Sequence, residues 1–454
     1  MTPLSRINFS FLVFSILGAQ AQEGNYRQLD FSLLRQYDVI VLPKGDTNGF
    51  YKNLKQIQLG HTTTLHFGGS YRLQSEAFIN EEFSAEVDQD DSWFLNRFQF
   101  HAHFKWAERF EFFAEMNSSL IWSKQNLAPV DKDELGVNQL YARYRFDAHW
   151  DVLVGRQNMR LGSGRLIDVR EGPNVRLSFD MVQLHYRAEN TALTTFYAVP
   201  VRVAQGIFDN EGLDFQESVG ALYWTQHWRE NTSTDIYMIY KTEEAKTWDS
   251  GTADDHRLSL GLRHFGNWNK WRYNNEFVFQ TGSFGEQDIR AWTVSLNLEH
   301  PIVLHGYSGA LGFKTEAISG DTGNADGRLN TFDGLYPRGA YFGRVARIGP
   351  SNLFDIHPYF DISLGRFALE VDYVAFWRLS RQDGVYGPPL NLQYASVNEE
   401  RFIGHQVGSI ASFGVNRFID LELEANVIFP GSFLVESGLD NTLFHMVFTA
   451  QFRF

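Results

Sequence analysis

The sequence contains no cysteine, which excludes a disulfide scaffold, a thiolate metal site and a cysteine nucleophile. Proline is scarce, at 12 in 454 residues, and glycine numbers 38, so neither a collagen-like repeat nor a Pro/Gly-rich disordered chain fits. An excess of positive charge is also missing. Forty Lys and Arg against 54 Asp and Glu give a formal net charge of -14, which argues against a general nucleic-acid binder. No stretch reaches the ~20 apolar residues that a membrane-spanning helix needs. Residues 9–18 (FSFLVFSILG), behind Arg6 and ahead of Ala19-Gln20-Ala21, are too short for that and read as a secretory leader over residues 1–21. The absence of Cys at the cleavage site excludes a lipoprotein anchor.

What the chain does have is aromatic residues, 15% of the total, arranged with a period of two. Phe94, Phe98, Phe100, Ala102, Phe104 and Trp106 share one parity, while Arg97, Gln99, His101, His103 and Lys105 share the other. Because a strand sends alternate side chains to opposite faces, one face is greasy and the other cationic and polar. The pattern returns in 367–378, where Phe367, Leu369, Val371, Tyr373, Ala375 and Trp377 alternate with polar Arg366, Glu370, Asp372 and Arg378. It returns again in 420–429, where Leu421, Leu423, Ala425, Val427 and Phe429 alternate with acids. Strands of a soluble sandwich average ~5–6 residues, whereas runs of ~10–14 suit a tilted crossing of a bilayer. Aromatics then face lipid and charges a wet interior, with Trp93, Trp106, Trp122, Trp150, Trp224, Trp228 and Trp271 at strand ends as interfacial girdles.

Length alone would suggest about three domains of ~150 residues, but one large β architecture absorbs it. Short polar breaks fall near 106–109, 146–149, 188–191, 227–232, 265–270, 299–306, 363–366 and 416–419. Longer segments lie at 79–91, 123–136, 159–176, 200–217, 243–255, 281–289, 319–351, 379–403 and 430–440. This interleaving predicts an all-β fold, a transmembrane antiparallel β-barrel of about 18 strands with short periplasmic turns and long extracellular loops. An even strand number puts both termini on the periplasmic side. Phe444, Met446, Phe448, Ala450, Phe452 and Phe454 form an outward row ending in a terminal aromatic, a signal read by barrel-insertion machinery. Residues 22–56 are irregular and read as a periplasmic extension before a barrel over 57–454, whose first strand is expected at about Thr64–Phe78.

The segment 155–180, GRQNMRLGSGRLIDVREGPNVRLSFD, resembles the signature of the alginate-export family of outer-membrane barrels. The resemblance extends to Gly68-Gly69-Ser70-Tyr71-Arg72, Leu335-Tyr336-Pro337, 349–353, 383–386 and Phe429-Pro430-Gly431, and so covers the chain from about Tyr26 to Phe454. It implies an 18-stranded barrel with a charged constriction through which an anionic polyuronate leaves the periplasm.

The residues of that segment suit the role. Arg156, Arg160, Arg165, Arg170, Arg176 and Arg187 are offset nearby only by Asp168, Glu171, Asp180 and Glu189. Gly162, Gly164 and Gly172-Pro173 permit tight turns that would fold this loop into the lumen. Arginine grips carboxylates with a planar fork and stays charged at any working pH. Asp168 and Asp180 are expected to hold the guanidinium groups in place. Parity adds Arg72, Arg97, His103, Lys105, Arg143, Arg145, Arg366 and Arg378 to the lumen, and the loop 334–354 adds Arg338, Arg344 and Arg347. Barrel interiors also hold Arg–acid ladders that only brace the wall, so each of these has a structural reading beside the functional one.

No G-x-S-x-G, no H-E-x-x-H and no phosphate loop occurs, so an enzyme is not expected. His101 and His103 could hold a metal at i, i+2, but a solvated lumen face is the strongly favoured reading. Acidic loop clusters at Asp88/Asp90/Asp91, Asp249/Asp254/Asp255 and Asp321/Asp326 are candidates for weak Ca²⁺, although EF-hand spacing fails and no cofactor is expected. The partners expected are outer-membrane lipids, an anionic polysaccharide or small anionic solutes, the insertion machinery and periplasmic export components, with a monomeric barrel. An anion-preferring porin for small solutes is the alternative to polysaccharide export.

Overall fold

The computed structural model describes residues 54–55, 57–84, 90–229, 231–323 and 326–454. The leader and nearly all of the expected extension lie outside the described residues. Eighteen long strands form the wall: β1 Thr63–Ile79, β2 Asp91–Trp106, β3 Phe110–Trp122, β4 Asp133–Arg145, β5 Trp150–Gln157 and β6 Phe179–Arg187, then β7 Thr191–Pro200, β8 Glu217–Arg229, β9 Thr232–Trp248, β10 Gly251–Trp268, β11 Trp271–Phe284 and β12 Gln287–Leu304, then β13 Tyr307–Ile318, β14 Leu353–Leu364, β15 Phe367–Trp377, β16 Phe402–Gly414, β17 Ile419–Pro430 and β18 Leu443–Arg453. Each pairs antiparallel with its neighbours in sequence, and β18 closes on β1 from Ser70↔Arg453 to Ile79↔Phe444. Closure is a physical requirement, because an unpaired strand edge in lipid leaves each N–H and C=O unsatisfied. Gly69 and Phe454 complete the seam by exchanging backbone hydrogen bonds of 3.0 Å.

The parity expected for the wall is observed. On β2, Phe94, Phe98, Phe100 and Trp106 are exposed, while Arg97, Gln99, His101 and His103 are buried. The last strand behaves alike, with Phe444, Met446, Phe448 and Phe452 on the outside. Trp93 is a correction to the girdle: it stands on the inward parity, donates to Glu76 Oε2 at 3.2 Å and carries Lys124 over its ring. A buried Glu that needs a donor outweighs the interfacial preference of the indole.

The breaks after β2, β4, β6, β8, β10, β12, β14 and β16 are only two to four residues long, as expected. His305-Gly306 shows why two suffice: both take a left-handed backbone, with φ of 51° and 86°, matching the twist of a tight hairpin. Two of the expected long loops are corrected. Segments 243–255 and 281–289 are extensions of strands, leaving only 249–250 and 285–286 as turns. Polar residues hide these extensions in the sequence, and a register shift between Glu243 and Lys246 breaks the alternation, while the ladder continues through Thr247↔Thr252 and Trp248↔Gly251 and Trp248, Phe284 and Ile289 stay buried on the inner side. Seven long connections remain, and two of them, 158–178 and 319–352, enter the barrel. Their Met159, Leu161, Leu166, Ile167, Phe332, Leu335 and Tyr336 are buried together there, so the lumen contains an apolar core of its own. Each such side chain contributes ~1.5–3 kcal/mol.

Candidate permeation path

The 158–178 loop turns inward at Gly162 and Gly164, which adopt φ of 52° and 73°. A Cβ on Gly162 would stand 2.2 Å from the Tyr223 hydroxyl on β8, and one on Gly164 2.4 Å from Asp168 Oδ2. Only glycine satisfies both the conformation and the approach. The turn throws Arg165 across the barrel to β11, β12 and β13. Its Nε donates to Glu276 Oε2 at 3.2 Å, and its other nitrogens reach Glu316, Ser295 and the Tyr341 hydroxyl. Ser163 Oγ and Tyr237 OH donate to the two oxygens of Glu276, at 2.6 and 2.7 Å. Arg165 is therefore buried and ionically satisfied.

The second inward loop locks onto the first. The Asp168 N–H donates to Tyr336 O at 3.0 Å and the Tyr336 N–H to Leu166 O at 2.8 Å, a strand-like bridge formed in mid-lumen. Arg170 Nε donates to Pro337 O at 3.2 Å, and Arg338 donates in return to Ser163 O at 2.9 Å.

The return limb of the loop is fixed to the wall where it left. Arg72 and Arg97 face each other across β1 and β2. Arg72 donates to the carbonyls of Glu171 and Pro173 at 2.9 Å each, while Arg97 and Arg176 both hold the Glu171 carboxylate. Loss of water around the loop pushes that carboxyl up, but Arg176, Arg97 and Arg72 more than offset this and hold it well below the usual carboxylate range. Asn174 Nδ2 reaches the carbonyls of Asn96, Leu120 and Asp131 at 3.0–3.2 Å, tying the limb to β2 and β3.

The other candidates fall into distinct places. Arg160 pairs with Asp168 at 3.3 Å and leaves 40% of its side chain open, beside half-buried Arg338. Arg344 pairs with Glu422 at 2.7 Å and Glu424 at 3.6 Å, and Arg347 with Glu81 and Glu82. Arg143, held by Glu111 and Asp151, and Arg145, by Glu111, lie with exposed Lys105 near the short turns at the periplasmic mouth. Arg156 and Asp180 form a two-pronged pair at 2.8 Å, but on the parity of Val154 and Val182, which are exposed on the outer wall. Lumen parity there belongs to Leu153, Gln157, Phe179 and Met181. Arg378 also stands apart: it is fully buried in the 378–401 loop and donates to the carbonyls of Arg381, Asp383, Asn398 and Glu400.

Sequence reasoning missed Glu276, Glu316 and Tyr341. Strand parity could have assigned the two acids to the lumen, but which of the inward acids faces the loop tip is settled only in three dimensions. Of the acidic loop candidates, Asp88 lies outside the described residues, Asp255 pairs with Arg257 at 2.8 Å, and Asp249 accepts from Ser396. Among the described residues no group of three or more metal-ligating side chains is found.

An eighteen-stranded barrel with an arginine-bearing loop folded into it is the setting for the sequence comparison. The alginate export family profile matches residues 63–446, from the first strand to the last. The chain belongs to the alginate-export family. No curated protein sequence matches it. Among solved structures, Pseudomonas aeruginosa OpdO shares the fold at a TM-score of 0.58 and 10% identity, over 86% of this chain and 97% of that one. Acinetobacter baumannii OccAB4 aligns at 0.56 and 10% identity, over 86% and 98%. Pseudomonas aeruginosa OccK2 (OpdF), solved in complex with glucuronate, aligns at 0.57 and 10% identity, over 85% and 97%. Family and fold place this alginate-export protein in the outer membrane of Gram-negative bacteria as a channel.

Proposed function

We propose that the barrel conducts an anionic polysaccharide of the alginate-like polyuronate type outward, past a constriction made by the 158–178 and 319–352 loops. The observation that carries this reading is the side-by-side placement of Arg160 and Arg338, one 40% open and the other half-buried, on the two interlocked loops. An exposed Arg–carboxylate contact contributes only ~0–1 kcal/mol, which lets a polymer slide from one guanidinium to the next. Arg170 and Arg176 continue the basic row along the loop, with Arg72 and Arg97 behind it. At the periplasmic mouth Arg143, Arg145 and Lys105 would meet the chain as it arrives, together with periplasmic export components. The barrel acts as a monomer in this reading, and its chemistry is passage without catalysis.

A second reading, an anion-preferring porin for small solutes, is favoured by the apolar plug that the two loops build inside the lumen. The glucuronate held by OccK2 belongs to that protein, and at 10% identity the likeness transfers fold alone. Single-channel recording with polyuronate oligomers separates the readings. Polymer export predicts oligomer-induced block that lengthens with chain length and is weakened by Arg160→Ala/Arg338→Ala. Block by the monomer alone, with no dependence on length, supports the porin, and no block by either discards the uronate class.

A further inference from the structure

The outer wall carries a feature that passage through the lumen does not use. At the periplasmic end of β10 to β12 a cavity of about 770 Å³ opens towards the lipid, among Thr232, Trp268, Trp271, Tyr273, Asn275 and Leu298. The exposed side chains of Leu260 and Leu262 on β10, Phe277 and Phe279 on β11, and Leu296 and Leu298 on β12 identify this as the lipid-facing parity. The groove exists because Gly266 stands in register between Thr232 and Tyr273, where any other residue would raise a side chain. Its φ of 152° and a Cβ position 2.1 Å from the Asn231 carbonyl oxygen make that glycine obligatory.

The groove differs from the rest of the aromatic girdle in being concave at Gly266, and from the adjacent β8 in its hydrogen bonding. On the neighbouring β8 the indoles are satisfied: Trp224 donates to Thr191 Oγ1 at 2.7 Å and Trp228 to Thr234 Oγ1 at 2.8 Å. Among the described residues, neither the Trp268 nor the Trp271 indole N–H has an acceptor. The Tyr273 hydroxyl joins a chain through His264 to Thr234, at 3.1 and 3.0 Å, and Asn275 accepts from the Asn297 N–H, which leaves its amide nitrogen to donate. The lining contains no carboxylate, and the adjoining turn carries Lys270. Donors without acceptors call for an anion, and the depth defines which one. Trp268 and Trp271 flank the two-residue turn, at headgroup level, while Tyr273 and Asn275 rise above them by ~7 and ~14 Å towards the acyl region.

We propose that this groove is a binding site for one glycerophospholipid of the periplasm-facing leaflet. Its phosphodiester accepts from the indole donors at headgroup level, an acyl ester carbonyl accepts from the Asn275 amide deeper in the groove, and an acyl chain lies along Leu298 and Leu296. The volume falls in the range of small-molecule sites and accommodates a headgroup with the start of its chains. The site bears no relation to solute passage, so its test is independent of the channel reading.

The experiment is native mass spectrometry on the delipidated full-length barrel titrated with phosphatidylglycerol. Heat-modifiable gel mobility confirms that each variant is folded. Wild type is expected to retain one phosphatidylglycerol at collision energies that strip the rest. Trp271→Leu/Asn275→Leu is expected to retain at least five-fold less. Tyr273→Phe, which keeps the ring, should lose about two-fold and serves if the double variant does not fold. Trp150→Leu, on the same rim but away from the groove, should match wild type. Equal retention by all variants, no retention by wild type, preference for lipopolysaccharide, or self-association of the delipidated barrel through this face would each overturn the proposal.

Discussion

Arg160 and Arg165 lie five residues apart on one loop and end in opposite states. Arg165 is buried against Glu276 and Glu316, with every nitrogen engaged. Arg160 has only Asp168 and the Ser163 carbonyl and leaves 40% of its side chain in the lumen. The same residue type thus serves as a clamp that holds the loop across the barrel and as a cation offered to the path. A buried ion pair resists loss because removing one partner strands the other, whereas an exposed pair can exchange its carboxylate for that of a passing solute.

The largest expected effect lies on the clamp side. Arg165→Ala removes the cation that buried Glu276 and Glu316 share, at a cost of about 3–5 kcal/mol. The loop tip should release, raising single-channel conductance and its noise while lowering the melting temperature of the barrel. Next comes Glu171→Gln, which takes the shared carboxylate from Arg72, Arg97 and Arg176 and costs about 2–3 kcal/mol. Because it also removes a negative charge beside three guanidiniums, anion selectivity should rise even as stability falls, a combination that reversal potentials and melting curves read together.

A third prediction concerns a clamp made without a cation. Asp383 ties the 319–352 and 378–401 loops by accepting from Thr331 Oγ1, Tyr386 OH and the Asp321 N–H. Burial dominates these bonds and pushes its carboxyl up from 3.8 to about 6. A raised value means that the folded state favours the protonated acid. Its contribution is therefore complete below about pH 4, is lost as pH rises through about 6, and then stays constant. The size is on the order of 3 kcal/mol. Hydrogen exchange of these loops should quicken across that window in wild type and lose the step in Asp383→Asn. The smallest effect belongs to the path side: Arg160→Ala/Arg338→Ala should lower the anion-to-cation permeability ratio by about two- to five-fold, the equivalent of up to ~1 kcal/mol, with a loss of stability well below that of Arg165→Ala because only the exposed Arg160–Asp168 pair and the bonds to the Ser163 carbonyl are removed.

Much of this architecture is legible in the sequence because a barrel wall obeys a period of two. The lumen parity of Arg97, His101 and His103 and the lipid parity of Phe444 to Phe452 follow from alternation alone, as do the eight short turns. The signal fails where its physical cause ends. At 243–255 a register shift between Glu243 and Lys246 breaks the alternation, and polar composition conceals a ladder that continues to Trp248↔Gly251. The candidate site is legible only in part for a related reason. Glycine pairs and clustered arginines mark 158–178 as an inward loop, but the partners of its side chains come from strands more than a hundred residues away, as Glu276 and Glu316 do for Arg165. Arg344 and Arg347 likewise sit in a segment free of acids and find Glu422, Glu424, Glu81 and Glu82 only after the chain has closed. Arg156 and Asp180 show the converse, since proximity in the motif grouped them with the path while strand parity puts their pair on the outer face.

The most direct test of the division between clamp and path is a side-by-side measurement of single-channel conductance and reversal potential, in a salt gradient, for Arg165→Ala and for Arg160→Ala/Arg338→Ala. The account predicts that the first changes conductance with little change in selectivity per open pore, and that the second changes selectivity at constant conductance. If both variants shift both quantities alike, or if Arg165→Ala alone abolishes anion preference at unchanged conductance, the division is contradicted.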